Sequence, residues 1–345
     1  MINKYTVCRD DNKYHAWPDL LLTKKGKLIC IFTEVEHHGD RRNSRIMLTE
    51  SCDRGRSWSK KKPLTDYSHP NTCDGYFNNS RISDLGDRLA IVCDRIVNGT
   101  EREARVSNIY IWYSYDDGES WTEPQILYDR GIVPDKLQRL SSGRLLLSAH
   151  NGPRDALSQY LWYSDDDGKS WSDRITVASD KRYSLCEVSI YECSDKTLVA
   201  FMRENSFKGI ECLKTISYDG GESWSEVYGT NIPGVHRPVI TKLCTGTLMM
   251  TYRFMHGKCR NAWLAQNIFM AFFDEETAKN TEKQTCTSII SLDYDRSSLS
   301  DCGYTGAVQF DDGEIYVVSY IVDDAPKAQI RGYSFFESDF VIDNH

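Results

Sequence analysis

Apolar residues along this chain fall in short runs separated by tight polar turns. Six turns each precede an apolar strand: Lys24-Lys-Gly-Lys27 before LICIF, Leu85-Gly-Asp-Arg88 before LAIVC, and Ser141-Ser-Gly-Arg144 before LLLSA. The other three are Cys193-Ser-Asp-Lys196 before TLVAFM, Cys244-Thr-Gly-Thr247 before LMMTY, and Asp311-Asp-Gly-Glu314 before IYVVSY. A mostly apolar stretch also leads into each turn, as in AWPDLLLT and YTGAVQF. The pattern predicts units of strand, tight turn and strand, usually followed by a third strand, a second turn and a fourth strand.

That second turn carries a motif. Ser51–Trp58 (SCDRGRSW), Ser114–Trp121 (SYDDGESW), Ser164–Trp171 (SDDDGKSW) and Ser217–Trp224 (SYDGGESW) all obey S-x-D-x-G-x-x-W. Their starts are 63, 50 and 53 residues apart (114−51, 164−114, 217−164). A period of roughly 50 residues built from short strands is that of a β-propeller blade. In each octet the Asp can accept from turn N–H groups, the Gly supplies a positive φ, and the Trp packs on the blade. Phe272-Phe-Asp-Glu-Glu-Thr277 reads as a decayed fifth copy. The expected fold is all-β: a six-bladed propeller of four-stranded antiparallel blades. The units fall at about 9–65, 66–130, 131–180, 181–230, 231–295 and 296–345 in one domain spanning 1–345. Lys4 to Cys8 is expected to give the last unit its outer strand and close the ring. No Pro-, Gly- or Ser-rich linker interrupts the series.

Closure would bring matching positions together at one end of the axis. The second strands end in Thr33, Asp94, His150, Arg203, Arg253 and Tyr320. Near the starts of the first strands lie His15 and Trp17, Asp74, Asp135, Glu187, His236 with Arg237, and Tyr304. Either strand ends simply turn polar as they meet solvent, or these groups line a shared pocket. The loop Glu34-Val-Glu-His-His-Gly-Asp-Arg-Arg42 would hang over the same mouth.

Composition narrows the function. A net charge of −8 argues against a general nucleic-acid binder, and no apolar run is long enough to span a bilayer. The N-terminus lacks the apolar core of a signal peptide. Twelve cysteines include no C-x-x-C pair, and no His cluster has zinc spacing, so neither metal nor cofactor is expected. Cys30, Cys93 and Cys212 sit in apolar runs, the pattern of buried thiols in a reduced, cytoplasmic protein. A secreted, disulfide-bearing protein is the alternative. The expected partner is a small-molecule or oligosaccharide substrate, with no nucleic acid or membrane, and the oligomeric state is open.

With its octets, which match Asp-boxes, the chain resembles the sialidase (neuraminidase) superfamily, in a divergent bacterial sialidase-like subgroup. Asp-boxes mark the propeller rather than the activity. The resemblance implies an arginine triad for a substrate carboxylate, a tyrosine–glutamate nucleophile pair and an aspartate acid/base. Glu187 in SLCEVSIYECSDK matches the glutamate, Arg203 in AFMREN matches a triad arginine, and Tyr304 in DCGYTGAVQFDDG resembles the nucleophile. Asp40 lies where the family has its acid/base, and Arg253 and Arg260 are candidates for the third arginine. The family's Arg-Ile-Pro is replaced by Ala16-Trp17-Pro18, and the glutamate that steadies that arginine by Tyr320.

Together these residues would make a retaining exo-glycoside hydrolase for a terminal acidic sugar, sialic acid or a relative. Asp40, Glu187 and Tyr304 would be catalytic. Arg203, Arg253, Arg237, His15, His150, His236, Asp94 and Tyr320 would contact substrate. A phenol avoids setting a full negative charge against the carboxylate on the anomeric carbon, and Glu187 would take its proton. Asp40 would protonate the leaving oxygen. The same residues also fit plainer roles: Glu187 and Arg203 as a structural ion pair, Asp40 as a solvated side chain, the histidines as hydrogen-bonding groups. A non-catalytic carbohydrate-binding propeller and a protein-interaction propeller are the rival functions.

Overall fold

A computed structural model describes residues 1–41, 43–66, 75–97, 106–256, 265–282 and 288–340. Asp74 and Arg260, singled out above, lie outside the described residues. The chain forms six four-stranded antiparallel sheets arranged as a six-bladed propeller. Their inner strands are Tyr14–Leu22, Tyr76–Asp84, Gln138–Arg139, Leu185–Glu192, Val235–Lys242 and Cys302–Gln309, each paired to the next strand in sequence. The N-terminal strand, Asn3–Cys8, pairs with Gln329–Phe336 as the fourth strand of the sixth sheet, with Asn3 opposite Ser334.

The four octets fold alike. In the first, Ser51 Oγ accepts from Gly55 N at 2.8 Å and Asp53 Oδ1 accepts from Ser57 N at 2.9 Å. Gly118, Gly168 and Gly221 donate in the same way to Ser114, Ser164 and Ser217. Each turn lies against the preceding blade. A Cβ on Gly118 would meet Ile29 of blade one at 2.5 Å, and one on Gly221 would meet Leu161 of blade three at 3.0 Å. The first octet docks instead on the last blade: Tyr316 Oη donates to Gly55 O at 2.8 Å, and a Cβ on Gly55 would fall 2.2 Å from the Tyr316 ring. The octets therefore bond blade to blade and help close the ring. The Phe272–Thr277 stretch departs from the expectation. Asp274 there caps a short helix, Glu275–Lys279, accepting from Thr277 N at 2.7 Å.

Inner strands carry a second kind of staple. Asp19 accepts from Ile82 N of the next blade at 2.9 Å, Asp135 from Ile190 N at 3.0 Å, and Ser189 Oγ from Ile240 N at 3.2 Å. Apolar side chains fill the spaces between blades, with Leu20, Phe32, Tyr316 and Val318 in the seam of blades six and one. Nine described cysteines are unpaired, and Cys30, Cys93 and Cys212 are buried. No helix among the described residues is long and apolar enough to cross a membrane.

Gly55 combines a φ of 81° with the Tyr316 contact. Gly55→Ala should cost about 1–3 kcal/mol from backbone strain alone, with the ring overlap added. Denaturant unfolding measures this, and an unchanged midpoint would show that the first octet does not fasten blade one to blade six.

Candidate functional site

Each inner strand reaches the axis through the same defect. The pairing register slips between Ala16 and Asp19, Phe77 and Ser80, Cys186 and Ser189, His236 and Val239, and Gly303 and Gly306. In blade three the bridge of Ile132 to His150, followed by Asp135 N donating to Ser148 O, makes the same slip. These are β-bulges, which re-aim a side chain at the cost of local strain. At five of them the bulged residue has positive φ: Trp17 (55°), Val133 (51°), Glu187 (50°), Arg237 (53°) and Tyr304 (52°). Opposite the residue before each bulge stands the end of the second strand. Thr33 faces Ala16, Arg203 faces Cys186, Arg253 faces His236, and Tyr320 faces Gly303. In blades one, four, five and six the two rings read from the sequence are thus two halves of one construction; in blade two Arg95 rather than Asp94 faces Phe77, and in blade three the bulged residue is Val133 rather than Asp135.

Tyr304 and Glu187 meet across the axis. The Tyr304 hydroxyl donates to Glu187 Oε1, and Arg203 Nη1 donates to the same oxygen at 2.7 Å. The Arg253 guanidinium carbon lies 5.3 Å from the centre of the Tyr304 ring, and that of Arg237 lies 6.0 Å away. Gly303 makes room, because a Cβ there would sit 2.5 Å from Arg253 Cβ. All five groups are buried. Burial pushes the Glu187 carboxyl up, but Arg203 and Arg253 together with the Tyr304 bond outweigh it and hold the acid at about 2. Burial, then the Glu187 charge, pushes the Tyr304 phenol up, against the pull of the two arginines.

The remaining candidates spread around this centre. His150 accepts from Glu187 N through Nδ1 at 3.4 Å, and burial lowers it to about 4. His236 packs its ring 5.6 Å from that of Phe207, and burial, then Arg203 and Arg253, lowers it well below the usual histidine range. Arg237 donates to Pro134 O at 3.0 Å, with Asp135 at 3.9 Å. Asp94 accepts from Asn78 Nδ2 at 2.8 Å and Asn79 N at 3.1 Å, and burial raises its carboxyl. Tyr320 donates to Asp301 at 2.7 Å. Asp40 lies in the loop after the second strand of blade one, its backbone paired to His37. His15 is set apart. It bonds Glu34 at 3.0 Å in a cluster with Asp10, and Lys61 Nζ lies within hydrogen-bond distance of all three. Those three side chains are spaced to ligate a metal, but the lysine ammonium already fills their centre.

Two residues of the site were not singled out from the sequence. Asp301 accepts from the hydroxyls of Tyr14 and Tyr320 and from His38 Nδ1 at 2.5 Å, with Arg253 Nη1 at 3.9 Å. His38 stood only as a member of a charged loop. The one available signal for Asp301 was its place three residues before Tyr304. Trp17 sits at the bulge of the first inner strand, its ring 5.4 Å from that of His38 and 6.3 Å from that of Tyr320, with the Arg41 guanidinium 4.2 Å over it. Ala16 and Tyr320 occupy the positions where the sialidase resemblance would place an arginine and its carboxylate, and Trp17 packs against Tyr320.

The fold and this axial cluster define a divergent sialidase-like propeller. Residues 78–261, just over half of the chain, match the family described as a BNR repeat-like domain, and the chain belongs to that family. It is similar to a protein of unknown function from Dyadobacter fermentans (22% identity, TM-score 0.74, covering 96% of this chain and 98% of that one). It is also similar to the NanB sialidase of Streptococcus pneumoniae (14% identity, TM-score 0.68, 95% and 69%). A third likeness is to the intramolecular trans-sialidase of Ruminococcus gnavus (14% identity, TM-score 0.66, 96% of each). Comparison with curated proteins gives no match.

The two low-lying groups predict an acid-sensitive fold. His150 binds its proton at about 4 when folded against 6.5 as the ordinary value, so the unfolded chain takes up the proton first. Its contribution is complete above pH 6.5 and lost as pH falls towards 4, amounting to roughly 3 kcal/mol. Glu187, depressed from 4.5 to about 2, adds a further loss below pH 4.5. Unfolding midpoints measured from pH 7 to 4 should fall, and His150→Gln should flatten the upper part of that fall. A wild-type midpoint that holds constant across this range would contradict the burial of neutral His150.

Proposed function

We propose that this chain is a sialidase-like exo-glycoside hydrolase that cleaves a terminal acidic sugar, sialic acid or a relative, with retention. The observation that carries the reading is the hydrogen bond from Tyr304 to an ionised Glu187, flanked by Arg203 and Arg253. As the Tyr304 oxygen attacks the anomeric carbon, its proton passes to Glu187 Oε1. The arginines are suited to a substrate carboxylate. Several of their atoms support this: Arg203 Nε and Arg253 Nε, with Glu187 Oε2 and His236 Nδ1, are buried and have no hydrogen-bond partner among the described residues. Buried polar atoms are seldom left unpaired without a ligand, ion or water to meet them.

Substrate binding would also prepare the base. Arg203 and Arg253 are the charges that hold Glu187 at about 2. A carboxylate clamped by the same two guanidinium groups would offset part of that field, so Glu187 would become more basic when an anionic sugar arrives. A neutral sugar would leave it weakly basic, which favours acidic substrates in the chemical step as well as in binding. The proton for the leaving oxygen has to come from the loop over the mouth, which carries His38 and Asp40. No cofactor is needed.

A panel of 4-nitrophenyl glycosides of sialic, glucuronic and neutral sugars tests the reading. An acidic glycoside should be hydrolysed, and Tyr304→Phe and Glu187→Gln should each lower kcat/KM by about 10²–10⁴-fold. Binding of acidic sugars without turnover would replace the hydrolase with a carbohydrate-binding propeller.

A further inference from the structure

We propose that His38, held by Asp301, is the group that protonates the leaving oxygen; this rests on the hydrolase reading above. The loop that carries His38 follows the second strand of blade one, Leu28–Val35, and brings its side chain against Asp301 and Trp17. Its histidine ring lies edge-on to Trp17, which stands at the first bulge, and Trp17 in turn neighbours Tyr320. Asp301 joins His38 to the centre. Its carboxylate accepts from His38 Nδ1 at 2.5 Å and from the Tyr320 hydroxyl at 2.7 Å, beside the Arg253 that overlies Tyr304.

The pairing sets the chemistry of the ring. An ionised carboxylate at Nδ1 fixes a proton there and leaves Nε2 as the nitrogen that exchanges one. Asp301 is kept ionised: burial raises it, but the bonds from His38 and Tyr14 and the charges of His38 and Arg253 outweigh that. The His38 side chain is 32% exposed against 15% for Asp301, so the dyad runs from the wall of the site out to its opening, where an aglycone leaves. Tyr14 from the first inner strand shares the Asp301 carboxylate with His38 and packs on the neighbouring His37, and Arg41, which lies over Trp17, donates through Nε to His38 O at 3.3 Å.

The step balances. The Tyr304 oxygen bonds to the anomeric carbon as the bond to the aglycone breaks. The Tyr304 proton goes to Glu187, and the proton on His38 Nε2 goes to the departing oxygen. In the second half water attacks the same carbon and gives its proton to His38 Nε2. The bond to Tyr304 breaks, and Glu187 returns the phenol proton.

The test compares methyl and 4-nitrophenyl glycosides of whichever acidic sugar the wild type hydrolyses, because only a poor leaving group needs the acid. His38→Gln should lower kcat/KM on the methyl glycoside by about 10²–10⁴-fold and on the 4-nitrophenyl glycoside by roughly tenfold or less. It should also abolish the alkaline limb of the pH profile. Asp301→Asn, acting through His38, should shift that limb. Equal loss on both substrates, no loss, or a selective loss in Asp40→Asn instead would overturn the assignment and leave the hydrolase standing. A wild type inactive on every acidic glycoside would overturn both.

Discussion

The site depends on a backbone irregularity repeated in every blade. A regular strand sends alternate side chains to its two faces, and a propeller buries both faces against neighbouring blades. On such a strand nothing large could aim at the axis. The bulge inserts one residue without a partner, and its left-handed conformation turns that side chain out of the sheet. For residues other than glycine this costs about 1–2 kcal/mol each. Trp17, Val133, Glu187, Arg237 and Tyr304 all adopt it. The surrounding fold must hold them there, and the staples from Asp19, Asp135 and Ser189 to backbone N–H groups of neighbouring blades lie just past the bulges.

What the site collects is a set of buried charges. Arg203 bonds Glu187, Arg253 lies 3.9 Å from Asp301 and over Tyr304, and Arg237 lies 3.9 Å from Asp135. Buried charges need partners, and each of these arginines keeps an Nε with none among the described residues. Burial first, and the neighbouring arginines second, hold His150 and His236 neutral. Protonating either would set a further cation beside these guanidinium groups. An anionic ligand is the natural complement to this balance, and the neutral histidines can then serve as hydrogen-bonding groups around it.

Much of this was legible in the sequence because repeats make position meaningful. Four octets and six turn-plus-strand units gave the six-bladed all-β fold, and counting from each turn found Arg203, Arg253 and Tyr320. Glu187 and Tyr304 came from the starts of the first strands, and the family resemblance added their expected roles. Counting could not reach Asp301 or His38. Both lie in connections between strands, whose lengths vary from blade to blade, so no repeat phase fixes where they end up. Nor could it separate His15 from the other histidines. His15 precedes its bulge by two positions, and that parity turns it towards Glu34 and Phe32 inside the blade, while Trp17 takes the axis.

At blades one and six the aromatic pair Trp17 and Tyr320 is accompanied by a carboxylate. An arginine at Ala16, where the sialidase resemblance would place it, would need a carboxylate, and Tyr320 cannot supply one. The carboxylate at this edge is Asp301, just before the sixth inner strand, where it is engaged by two phenols and an imidazole. Three hydrogen bonds to one carboxylate fix its orientation more tightly than a single surface ion pair would. The indole beside it gives His38 a flat apolar wall. In the proposed reaction this edge of the site positions a proton donor, and the grip on substrate charge falls to the arginines of blades four and five.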